Sequence, residues 1–237
     1  MNYGDRFVDR LRLGRIVPKI QWETRKALAS IVAPRVALRH EPPFQLWGEP
    51  YDYFIDPHNM TWRNERAVEI AICKKFVERH SGRGMEFGNV LAHYGAAGGT
   101  VVVDKYEQAP NVTNVDILEY ETTQPFDYIV SISTLEHVGW DEKPRDPEKV
   151  CAAFEHLITL LAPGGTLLLT APTGHHPTLD AAILEGRWKP TRQATLLRSD
   201  RKRNLWQQTQ DLEVRPYLAS AGLGADAVWV VEVVAPS

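Results

Sequence analysis

The sequence predicts an α/β fold built on a mostly parallel sheet. Three observations carry this. From residue 84 onward, short apolar runs alternate with helical patterns. Several of those runs are apolar at successive positions, as strands buried on both faces require. Most of them end on a carboxylate or hydroxyl followed by a turn.

The strand assignments follow in chain order. Gly84–Phe87, Thr100–Val103, Val112–Val115, Tyr128–Ser133 and Thr166–Ala171 read as successive strands. Ala194–Leu197 and Ala227–Val234 read as the last two. Asn64–His80 reads as a helix, with Asn64 or Thr61 as cap. Pro147–Leu161 is an amphipathic helix with Val150, Phe154, Leu157, Ile158 and Leu161 inward, and Pro163-Gly164-Gly165 stops it. A further helix is expected over Tyr217–Ala221. Ahead of residue 64 lie an expected helical stretch over 1–33, broken at Pro18, and a loop over 34–60 rich in proline and aromatics. This divides the chain into an extension, 1–63, suited to covering a cleft, and a main domain, 64–237.

Composition narrows the function. The chain has 237 residues, 43% hydrophobic and 24% charged, with net charge −3. That supports a real core and argues against a dedicated nucleic-acid binder. Residues 1–40 hold nine Lys/Arg against three Asp/Glu. Arg198, Arg201, Lys202 and Arg203 form a second basic run, read as solvated surface or as a site for an anion. Cys73 and Cys151 lie in helical patterns, as buried reduced thiols do, which points to the cytoplasm. No Cys/His spacing suggests a metal. No apolar run reaches the ~20 residues of a membrane span, and no secretion signal is read at the N-terminus.

In open α/β sheets ligands bind beyond the carboxyl ends of the strands. Glu86, Asp104 and Asp116 close the first three strands, and Ser131 and Ser133 the fourth. A carboxylate at Asp104 suits the two hydroxyls of a ribose. Asp116 sits where an adenine amino group would be accepted. The loop Gly88-Asn89-Val90-Leu91-Ala92 has one glycine and no phosphate cradle, which disfavours NAD and FAD.

Residues 84–174 resemble a class I S-adenosylmethionine-dependent methyltransferase. The matching segments are Glu86-Phe87-Gly88, Val102-Val103-Asp104, Asn114-Val115-Asp116, Phe126-Asp127-Tyr128-Ile129-Val130-Ser131 with Leu135-Glu136-His137-Val138, and Leu161-Ala162-Pro163-Gly164-Gly165. The resemblance implies a Rossmann-like sheet of seven strands in the order 3-2-1-4-5-7-6, the last antiparallel. It implies S-adenosylmethionine as cofactor, with Glu86 and Gly88 near the methionine moiety and Asp104 at the ribose, and with Asn89 and Lys105 also counted among the cofactor-binding residues. Asp116 and Ile117 fall at the adenine, and Ser131 beside the amino-acid end. The sequence departs from the family's acid-x-Gly-x-Gly-x-Gly pattern at Val90 and Ala92, where Val90 is expected to crowd the cofactor.

Methyl transfer needs alignment, and a hydroxyl acceptor also needs a base. His137, His175 and His176 are the candidates. Adjacent histidines in extended chain face apart, so His175 and His176 are not expected to share a metal. Trp62 suits stacking on a sugar, and Arg63 and Arg66 suit an anion. The expected activity is O-methylation of a small molecule or glycan. The alternative is a non-catalytic nucleoside- or partner-binding module. RNA methylation is disfavoured by the acidic balance and by the absence of an Asn/Asp-Pro-Pro-Tyr/Phe motif.

Overall fold

The computed structural model describes residue 31 and residues 37–209, 211–217 and 224–237. An antiparallel hairpin comes first, β1 (Phe44–Leu46) and β2 (Glu49–Tyr51). Helix α1 (Arg66–Arg79) leads to β3 (Gly84–Phe87), β4 (Val101–Val103), β5 (Val112–Thr113) and β6 (Phe126–Ile132). Then come α2 (Lys149–Thr159), β7 (Leu161–Pro172), α3 (Pro177–Leu184), β8 (Arg192–Asp200), β9 (Leu205–Gln208) and β10 (Ala227–Val234).

The main sheet runs β5-β4-β3-β6-β7-β10-β8-β9. Its first five strands are parallel, and β10 is antiparallel to both β7 and β8. The first seven positions reproduce the order 3-2-1-4-5-7-6 with its one antiparallel strand. The correction is an eighth strand, β9, which folds back on β8 through residues 201–204. The basic run lies in and beside this turn, and there it meets acids. Arg203 pairs with Glu41, Arg201 with Asp226, and the buried Arg198 lies 3.6 Å from Glu65. The three arginines of the run are therefore each met by an acid.

Alternation along the central strands builds two cores. Met85, Ile129, Leu167, Leu169, Trp229 and Val231 face α2 and α3, where Val150, Phe154, Leu157 and Leu179 meet them. Tyr128, Val130, Ile132, Leu168, Val228 and Val230 face α1, with Val68, Ile72 and Phe76. Burial on both faces is why these strands read as continuous apolar runs.

The segment 34–60, expected as a loop, contains the β1–β2 hairpin. Trp47 and Gly48 both take positive φ, 53° and 79°, the backbone of a tight two-residue hairpin. Phe44, Leu46 and Tyr51 are buried in the α1-side core, and Trp206 N–H donates to Tyr53 at 2.9 Å. Other expectations also shift. Helix α2 ends at Thr159, and Pro163-Gly164-Gly165 opens β7 rather than closing the helix. Helix α3 lies where the sequence reading assigned no element; Pro177 at its first turn starts it, capped by His176. Thr61 does not cap α1; its hydroxyl donates to Phe54 O, whereas Asn64 does accept from Arg66 N–H. The helix expected over 1–33 and most of that expected over Tyr217–Ala221 lie outside the described residues. Cys73 and Cys151 are buried and free. Among the described residues no helix is long and apolar enough to cross a membrane.

Phe154 is fully buried, its ring 4.4 Å from that of Trp188 and 5.8 Å from that of Trp229. Phe154→Ala is expected to cost about 3–5 kcal/mol of stability, read as a lower midpoint in urea unfolding.

Candidate active site

A cleft of about 540 Å³ opens beyond the carboxyl ends of β3, β4 and β5 and the start of the turn after β6. That volume is within the usual ligand-site range of roughly 300–1,000 Å³. Its walls include Asn89, Val90, Asp104, Lys105, Asp116 and Ile117 from the predicted set. Arg66 and His137 also reach it.

Glu86 does not. It is 1% exposed and lies beneath the cleft. Its Oε1 accepts the backbone N–H groups of Val90 and Leu91, both at 2.8 Å. Burial raises its pKa above the ordinary carboxylate value, and those N–H bonds pull it part of the way back. Glu86 therefore shapes the first loop and does not line the cleft. Gly88, at φ 90°, lies against Thr134; a Cβ there would sit 2.2 Å from the Thr134 hydroxyl. Val90 forms one wall and leaves the cleft open, so it does not block the site as a plug.

Asp104 opens the turn after β4. Its Oδ1 accepts from the N–H groups of Tyr106 and Glu107, at 2.8 and 2.7 Å. Its Oδ2 has no hydrogen bond among the described residues, so one carboxylate oxygen beside the cleft is available to a hydroxyl ligand.

Asp116 is more committed. Lys105 Nζ donates to its Oδ2 at 2.8 Å, Lys149 donates to the same oxygen, and Leu118 N–H donates to Oδ1. Both lysines also reach Glu142. Burial works against the Asp116 charge, but the two ammonium groups win and bring its pKa to about 2. Lys105 is thus part of an ion network, and an adenine amino group has only Oδ1 to address.

Ser131 is fully inside β6 and does not line the cleft; Ser133 does. Ser133 has φ 42°, and its hydroxyl donates to Glu69 at 2.6 Å. Glu69 is itself buried against Arg66 Nη1 at 2.9 Å and accepts from Thr170 at 3.0 Å. Arg66 is accordingly held by a carboxylate. Trp62 and Arg63 lie outside the cleft walls, because the short 3-10 helix His58–Arg63 turns His58 and Asn59 toward it instead. The sequence reading also passed over His93, Tyr94 and Glu107. The stacked rings of His58 and His93, 5.2 Å apart, show the hairpin side meeting the first loop.

The three histidines separate. His176 is 1% exposed; its Nε2 faces Val138 O and its Nδ1 accepts from Leu179 N–H. One nitrogen caps the start of α3 and the other faces the turn after β6, and the ring does not line the cleft, which removes it as a base. His137 and His175 instead come together, ring centroids 4.8 Å apart, with Asp141 between them. His137 Nδ1 is 2.6 Å from Asp141 Oδ2, and His175 Nε2 is 3.6 Å from the same oxygen. Asp141 carried no signal in the sequence reading, because its relation to His175 spans two separate strand ends.

Residues 62–216 match the family described as "Methyltransferase domain". The chain belongs to this methyltransferase family. It is a class I S-adenosylmethionine-dependent methyltransferase, as the sequence motifs led one to expect. The enzyme is similar to several solved structures. The N-methyltransferase NodS from Bradyrhizobium japonicum WM9 is 14% identical, with TM-score 0.39, over 66% of this chain and 86% of that one. The sugar N-methyltransferase KedS8 from Streptoalloteichus sp. is 15% identical, with TM-score 0.38, over 73% and 89%. A possible histamine N-methyltransferase from Thermotoga maritima is 13% identical, with TM-score 0.41, over 69% and 86%. No curated protein matches the chain.

The lowered Asp116 pKa makes a stability prediction. A carboxyl whose folded pKa is depressed stabilises the fold above its unfolded value and loses that contribution as pH falls through the folded one. Asp116→Asn is expected to cost about 2 kcal/mol at pH 7. The difference from the parent should shrink below about pH 3.8 and vanish near pH 2, measured by urea unfolding at each pH.

Proposed function

We propose that this methyltransferase acts on a hydroxyl of a small molecule or glycan. The observation that carries the donor side is the free Oδ2 of Asp104 beside a cleft at the strand ends. A carboxylate with one oxygen fixed by two backbone N–H groups and the other unfilled suits a pair of vicinal hydroxyls. The cofactor supplies a methyl group already activated on a sulfonium.

The chain's own residues then do the positioning. Asp104 holds the ribose. Val90 and Asn89 border the thioether chain, and Ile117 packs against the adenine. Glu69 holds Ser133 and Arg66 in place behind the amino-acid end. The acceptor oxygen lies beside His137, on the side of the cleft toward Asp141 and His175. In this reading the described part of the extension next to the domain, residues 37–63, covers the acceptor end, and there His58 and Asn59 line the cleft where Trp62 and Arg63 do not. The buried free thiols accord with a reducing, cytoplasmic setting.

Alignment is the main catalytic contribution expected of such a site, since the donor is reactive by itself. Calorimetric titration with S-adenosylmethionine tests the donor half. Asp104→Ala is expected to weaken binding at least 10-fold, which is about 1.4 kcal/mol. Asp104→Asn keeps an acceptor for the Tyr106 and Glu107 N–H groups and should still lose most of that affinity. Equal affinity in all three proteins would contradict the assignment. For the acceptor half, a panel of hydroxylated glycans and small molecules is expected to yield S-adenosylhomocysteine together with an O-methyl product.

A further inference from the structure

We propose that His137, Asp141 and His175 form a site for one divalent transition-metal ion at the acceptor end of the cleft. The three side chains come from the turn after β6 and the loop after β7. One ligand atom from each of the three lies within 4.8 Å of the other two. An ion that binds imidazole at ~2.0–2.1 Å and carboxylate at ~2.0–2.2 Å needs only small side-chain rotations to draw these atoms in.

Two independent features point to a ligand. His175 Nε2 is buried and makes no hydrogen bond among the described residues. Asp141 Oδ2 is beyond hydrogen-bond length from it, at 3.6 Å. A buried ring nitrogen left so has a cost that an ion would relieve. The other feature lies behind His137. Its second nitrogen, Nε2, is 3.6 Å from Glu136 Oε1, and Glu136 is 2% exposed with Oε2 unpartnered. A carboxylate behind a ligating imidazole is the usual means of orienting it.

The donor set selects the ion class. Two imidazoles and one carboxylate suit zinc and neighbouring divalent metals, whereas calcium and magnesium prefer oxygen ligands throughout. Three protein ligands leave at least one position open, as at catalytic zinc sites. His137 also lines the cleft, so the open position is available to an acceptor oxygen. That role rests on the proposed acceptor end; the binding of the ion does not.

The test uses the full chain, stripped with a chelator and dialysed. Calorimetry with zinc chloride and visible absorption with cobalt chloride are expected to show one ion per chain at micromolar affinity or tighter. His175→Gln and Asp141→Asn should each weaken binding at least 100-fold. Glu136→Gln should weaken it about 10-fold, as the loss of an orienting carboxylate does. Asp141 is half exposed, so its variant keeps the test valid if His175→Gln does not fold. No ion bound, or unchanged affinity in Asp141→Asn, overturns the site. S-adenosylmethionine titration on the same samples separates the two readings. Retained cofactor binding without ion binding sinks this inference alone, and the converse sinks the donor assignment alone.

Discussion

The buried Glu86 carboxylate is the constraint on which the site depends. It ends β3, is nearly inaccessible, and spends one oxygen on two consecutive backbone N–H groups, those of Val90 and Leu91. Those N–H groups open a short 3-10 turn and would otherwise lack partners. Holding them fixes the path of the first loop across the mouth of the sheet. The loop then returns so closely that a Cβ on Gly98 would sit 2.4 Å from Glu86 Oε2. A glycine-rich loop reaches its shape through backbone freedom. Here a single glycine, Gly88, and a buried acid share that work, and Val90 and Ala92 are tolerated where glycines are otherwise usual.

A second buried carboxylate organises the neighbouring wall. Glu69 lies on α1, yet it accepts from Ser133 beyond β6 and Thr170 in β7. Its charge is met by Arg66 one helical turn earlier. One side chain thereby locks a helix to two strand ends and holds Ser133 in an unusual left-handed backbone. Packing on both faces of the sheet makes this geometry rigid, because the same strands are clamped by α2 and α3 on one side and by α1 and the hairpin on the other. The cleft thus sits on strand ends that cannot move independently.

Much of this was legible in the residues. Period and strand-end chemistry located the parallel strands and drew attention to Asp104. What was missed has a common physical origin. The β1–β2 hairpin turns on Trp47-Gly48 rather than on an asparagine–glycine pair, and Pro50 interrupts β2, so its local signal was that of a loop. Strand β9 was hidden because its turn is a basic run whose ion partners, Glu41 and Asp226, are remote in sequence. The same holds within the site. Whether an acid at a strand end faces the cleft or the loop below depends on side-chain direction, which separates Glu86 from Asp104. The pairing of Asp116 with two lysines, and of His137 with His175 through Asp141, is tertiary and left no trace in spacing.

A crystal structure with S-adenosylhomocysteine bound decides whether Asp104, and not Glu86, meets the cofactor. The ribose hydroxyls are expected on Asp104 Oδ2, the thioether chain beside Val90, and Glu86 still bonded to the Val90 and Leu91 amides with no contact to the ligand. A molecule bound elsewhere, or a ribose that leaves Asp104 untouched and meets Glu86, would overturn this assignment.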